Sequence, residues 1–106
     1  MINAEPTDIA QKINDYNDII VNFSAVLRQE NEALQHFDTE TVAQLLEQKT
    51  KLSMAYRSMV AFFIQHQEEL KGVSEDAREL LKRNSLELEA LFKENDLLLK
   101  TRMEAS

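Results

Sequence analysis

The chain has no cysteine and no tryptophan, and only one glycine and one proline among its 106 residues. Without cysteine there are no disulfides, thiolate metal ligands or thiol nucleophiles, which fits a reducing compartment. With Gly72 and Pro6 alone, the interior has almost no turn chemistry, so the elements between chain reversals must be long. Long apolar runs are also missing. The longest, Met59 to Ile64, falls far short of the ~20 residues that a membrane span requires. Met1 to Pro6 carries no basic, apolar signal sequence, so the chain reads as cytoplasmic, with no stable membrane insertion.

Basic residues are scarce in the first half. Nine acidic residues there face only Lys12 and Arg28, whereas from Lys49 onward ten basic and ten acidic residues cancel, so the net charge of −7 lies in the first 48 residues. An acidic half repels phosphates, which makes nucleic acid and anionic membranes poor partners. What remains is 43% hydrophobic and 29% charged, the balance of a folded helical protein, and the length suits one domain spanning residues 1–106.

Apolar spacing predicts an all-α fold, an antiparallel bundle of three long helices over roughly 8–37, 39–71 and 75–104 with coiled-coil-like packing. Pro6-Thr7-Asp8 opens the first helix, whose seam runs Ile9, Ile13, Tyr16, Ile20, Phe23, Leu27, Glu30, Leu34, Phe37. Asp38 caps the second, with the seam Val42, Leu45, Lys49, Leu52, Tyr56, Met59, Phe63, His66, Leu70. Gly72 is expected to supply a left-handed cap after it. Ser74 opens the third, with the seam Ala77, Leu81, Asn84, Leu88, Leu91, Asn95, Leu98, Arg102.

Pairing the first two helices so that facing residue numbers sum to 79 sets Glu30 against Lys49, the one charged residue in each of those seams. Pairing the second and third with a sum of 147 places Leu98 in the same layer, Asn84 level with Tyr16 and Phe63, and Asn95 level with Leu27 and Leu52. Glu30, Lys49, Asn84 and Asn95 are therefore expected to form structural polar layers, each with a partner, because an unpaired buried polar group costs roughly 1–3 kcal/mol.

The material for catalysis is thin. His36 and His66 lie about thirty residues apart at different expected levels, and no Glu-x-x-His, Gly-rich phosphate loop, His-Glu-x-x-His or Gly-x-Ser-x-Gly occurs. Neither an enzyme nor a metal or cofactor site is expected. The third helix is more informative. Its seam covers one side, while Leu86, Ala90 and Leu97 gather nearly opposite, with Phe92, Leu99 and Met103 at the margins. That much apolar surface exceeds what a three-helix bundle buries, and points to a partner helix or to self-association.

The run Glu30-Asn31-Glu32-Ala33-Leu34 with Asp38, Val42, Leu45-Leu46 and Lys49 resembles the helical hairpin of the FlgN-like flagellar export chaperones, and Glu94-Asn95 followed by Leu97-Leu98 resembles their third helix. The resemblance implies a cytoplasmic chaperone of the flagellar type III secretion system. Such a chaperone binds the amphipathic C-terminal helix of the hook-filament junction proteins FlgK and FlgL through its own C-terminal region. Carried onto this chain, the contacts are Leu86, Ala90, Phe92, Leu97, Leu99 and Met103. Family members also engage export-apparatus components, some through a Tyr in a C-terminal tail, but no Tyr follows Tyr56 here. The competing reading is a structural coiled-coil protein, a homo-oligomer that self-associates through the third helix.

Overall fold

A computed structural model describes residues 7–102, and among these it holds helices and turns with no strand. The helices are α1 (Thr7–Gln35), α2 (Thr39–Gln65), the one-turn α3 (Gln67–Leu70) and α4 (Glu75–Arg102). They form an all-α bundle in which α1 packs against both α2 and α4. Four helices stand where three were expected, and the last expected turn, with Met103, lies outside the described residues.

The direction of packing is visible in which residues meet. Between α1 and α2, Tyr16 stacks on Phe63 with ring centres 5.2 Å apart, Phe23 meets Tyr56 at 6.1 Å and Glu30 binds Lys49. Those residue numbers all sum to 79, the register anticipated from the seams. Between α1 and α4 the numbers instead rise together: Asn17 accepts a hydrogen bond from Asn84, and Glu30 accepts one from Asn95.

α1 is the centre of the molecule. Its Ile13, Ile20, Phe23, Val26, Leu27 and Leu34 are almost wholly buried, as are the small or polar Ser24, Asn31 and Ala33. A helix flanked on two sides needs a buried arc wider than one heptad seam, and small side chains let the second neighbour approach. By contrast, the inner seam of α2 is fully buried only at Phe63, and Leu45, Leu52, Tyr56 and Met59 are half-buried.

Burial also tunes one ionisation. The Tyr16 phenol is pushed from 10.0 up to about 12, first by desolvation and then by the neighbouring Tyr56. The folded protein therefore holds this proton in a range where the unfolded chain releases it. The stability tied to Tyr16 is present below pH 10 and falls as pH rises from 10 toward 12. In Tyr16→Phe this alkaline loss is expected to shrink, read from urea midpoints at a series of alkaline pH values.

The helix ends hold the main departures from the expected boundaries. The first helix stops at Gln35, and Phe37, expected as its last seam residue, is exposed with φ of 57°. Asp38 N–H donates to Ala33 O at 2.8 Å and Phe37 N–H to Leu34 O at 3.2 Å, the paired bonds of a Schellman ending with Phe37 in the left-handed position. Gly72, expected to fill that role after the second helix, does not, since no glycine has positive φ. The chain there passes through a short helix and a turn instead. Phe37→Gly relieves the crowding of a Cβ in left-handed backbone, offset by loss of the Arg102 guanidinium contact 5.1 Å from the ring. A gain of about 0.5–1 kcal/mol is expected from urea unfolding.

α2 ends at Gln65 instead of near Lys71 because His66 competes for the backbone. Its Nδ1 bonds the Phe62 carbonyl at 2.7 Å, the oxygen that its own N–H would reach in a continuing helix, and that N–H turns to Phe63 O. The imidazole also stacks on Phe62 at 4.0 Å. At the end of α1 the His36 Nδ1 lies 2.8 Å from Glu32 O, sharing that carbonyl with its own N–H at 3.3 Å. Asp38 caps α2, accepting from the Thr41 hydroxyl at 2.6 Å and the Thr41 N–H at 3.1 Å, and these bonds hold its carboxyl below the usual range. Ser74 Oγ accepts from Ala77 N–H at 3.2 Å and so opens α4.

Candidate protein-binding surface

The polar seam residues converge on one layer across the bundle. Lys49 Nζ lies 2.8 Å from Glu30 Oε1 and donates to Asn95 Oδ1 at 3.1 Å. Asn95 Nδ2 donates in turn to Glu30 Oε1 at 2.7 Å and to Asn31 Oδ1 at 2.8 Å. Asn31 continues the network to Leu91 O and to Glu94, each at 3.4 Å, and Gln35 reaches the other Glu94 oxygen at 3.2 Å. One network thus ties the three long helices together at a single level.

Asn95, expected level with Leu27 and Leu52, joins the Glu30–Lys49 pair where Leu98 was expected. An amide left among Leu27 and Leu52 would lack partners, and the long Glu30 and Lys49 side chains reach along the axis to meet it. Asn31 was not identified as a layer residue, although its position next to Glu30 on the α4-facing side of α1 was the available signal. Asn84 is half-buried and donates to Asn17 at 3.1 Å.

α4 divides the six expected contact residues between two faces. Leu86 and Leu97 are 56% and 62% exposed, and Ala90 is exposed with them. With Lys93 they follow the i, i+4, i+7, i+11 spacing of one helix face, pointing away from the core. Phe92 lies elsewhere: its ring stands edge-on to Phe23 at 5.0 Å and 6.1 Å from Tyr56, so it is half-buried against the core. Leu99 is half-buried two turns further along the same side. Phe92 thus stands at the margin between the outward face and the core, its ring filling the space between α1 and α2. Met103 lies outside the described residues.

Besides Lys93 within the row, Arg83 and Lys100 stand beyond its two ends, Lys100 bound to Asp96 at 3.1 Å. Arg28 on α1 pairs with Glu87 and fixes the edge of α4 against α1. Among the described residues no cluster of three or more His, Asp or Glu could hold a metal ion, and no helix is long and apolar enough to cross a membrane. Both histidines are occupied with helix-end carbonyls. No protein-family model, curated protein or solved structure matches this chain.

Proposed function

We propose that this chain is a cytoplasmic export chaperone of the flagellar type III secretion class, built as three long helices of alternating direction with one extra turn. In this reading the outward face of α4 holds the amphipathic C-terminal helix of a hook-filament junction protein until secretion. The observation that carries it is the exposure of Leu86, Ala90 and Leu97 in one row on a helix whose opposite face is already committed to the core. Fully burying a leucine is worth about 1.5–3 kcal/mol, so this row offers a real gain to any partner that covers it. The row has the spacing on which a second helix docks, and the resemblance of the hairpin and of Glu94-Asn95 to FlgN-like chaperones adds the client.

Affinity then comes mainly from apolar burial, offset by the ordering of the client helix, and is expected to resist moderate salt. The test is a calorimetric titration of the protein with a peptide of the client's C-terminal helix, repeated with Leu97→Asp. Micromolar or tighter binding with a negative heat-capacity change is expected, and Leu97→Asp should weaken it at least about 30-fold while leaving helicity unchanged. Absence of binding by the folded protein sets this client aside, and binding abolished by moderate salt moves the site to the acidic first half.

A further inference from the structure

α2 carries a second row that the bundle leaves uncovered. Ala43, Leu46, Thr50, Met54, Arg57, Ala61 and Ile64 are all exposed, and they recur at intervals of three and four, as the inner seam does. Leu46, Met54 and Ile64 are 59%, 63% and 62% exposed, in one stripe running nearly the whole length of α2. The Thr50 hydroxyl is already bonded to Leu46 O at 2.9 Å, so this residue presents its methyl group. Arg57 is the only charge in the row.

We infer that this stripe pairs with the same stripe of a second copy of the chain, the two α2 helices running in opposite directions about a two-fold axis near Met54. The order of side-chain sizes is what selects a second copy as the occupant. Turned end for end about its centre, the row sets Ala43 against Ile64, Leu46 against Ala61 and Thr50 against Arg57, so small faces large at both ends and Met54 meets its own counterpart. An isologous contact requires this kind of self-complementarity. Charge does not oppose the pairing: Arg57 faces Thr50 of the other copy, which is flanked by Glu47 and Lys51, already paired with each other at 3.9 Å.

The α4 row lacks this property. Turned on itself, it sets Leu86 against Leu97 and Ala90 against Lys93, large against large and a charge against a methyl group. The α2 stripe spans ~32 Å at 1.5 Å per residue, and pairing it buries on the order of 1,000 Å², the lower bound of a specific contact. An area this small fits a weak, concentration-dependent dimer, and each copy keeps its α4 row open. The inference stands independently of the client reading, since pairing through α2 requires no client.

The absence of cysteine makes the test clean, because one introduced thiol is the only one in the chain. Under mild oxidation at high micromolar concentration, full-length Met54→Cys is expected to cross-link to itself. Ala43→Cys and Ile64→Cys should remain largely uncross-linked alone but join each other when mixed, as opposite chain directions require. In sedimentation, Leu46→Glu should weaken dimerisation at least about tenfold with helicity unchanged. Cross-linking of Leu97→Cys without that of Met54→Cys would overturn the inference in favour of α4. Self-linking of Ala43→Cys and Ile64→Cys without mixed product, or a wild-type monomer at every concentration, would also overturn it.

Discussion

Lys49→Met is expected to destabilise the protein by about 2–4 kcal/mol, more than its partly exposed position suggests. Glu30 is 2% exposed, and its carboxylate takes one charged donor from Lys49 and one amide donor from Asn95. Removing the ammonium leaves a buried negative charge with a single neutral donor, and that desolvation is the larger part of the loss. The reverse deletion is milder. In Glu30→Gln the Lys49 head, with its side chain 22% exposed, can extend toward water, so a loss of about 1–2 kcal/mol is expected. Replacing Glu30, Lys49 and Asn95 together by Leu, Met and Leu removes the charges and should cost less than Lys49→Met alone, since apolar substitutes for a buried ionic group are often neutral or stabilising. Urea unfolding followed by circular dichroism separates these cases. A Lys49→Met loss below about 0.5 kcal/mol would mean that water already satisfies Glu30.

Phe92→Ala and Leu97→Asp are expected to separate stability from binding on a single helix. Phe92 contacts Phe23 and Tyr56, so its truncation opens a cavity between the three long helices and should cost about 2–4 kcal/mol, somewhat less than for a fully buried phenylalanine. Leu97 faces away from the core, and its replacement should change stability by no more than about 0.5 kcal/mol while weakening the proposed binding of a client. The opposite pattern, a neutral Phe92→Ala and a destabilising Leu97→Asp, would reverse the two faces of α4.

Much of this arrangement was legible in the heptad seams, because each seam residue answers to a simple rule of burial at helical period. The pairing of Glu30 with Lys49 could be read because each is the lone charge in its row, and a buried charge demands its opposite. Three features could not be read this way. The left-handed Phe37 breaks the expectation that such a position takes glycine, and the structure tolerates the strain because two backbone bonds fix the turn. The break at His66 depends on an imidazole outcompeting a backbone amide for one carbonyl, a choice that hydrophobic periodicity does not encode. The width of the buried arc on α1 escaped because Ser24, Asn31 and Ala33 look like surface residues until a second neighbour is packed against them.

The exposed row of α4 was legible in outline, and the burial of its margins was not. Leu86, Ala90 and Leu97 stand out because apolar residues opposite a seam have no place in a self-sufficient bundle. Phe92 and Leu99 lie between seam and surface by angle alone, and packing against the Phe23 and Tyr56 rings turns Phe92 partly inward. The uncovered row on α2 was missed for a related reason. Its alanines and its threonine are individually unremarkable on a surface, and only their alignment with Leu46, Met54 and Ile64 makes a continuous stripe.

The central claim is that the outward row of α4 holds a client helix, and the most direct measurement is methyl chemical-shift mapping of the labelled protein as the junction-protein peptide is added. The account predicts saturable shifts concentrated at the Leu86, Ala90 and Leu97 methyls, with the Leu46 and Ile64 methyls of α2 nearly still. Shifts confined to α2, or none at peptide concentrations that would fill a micromolar site, would contradict it.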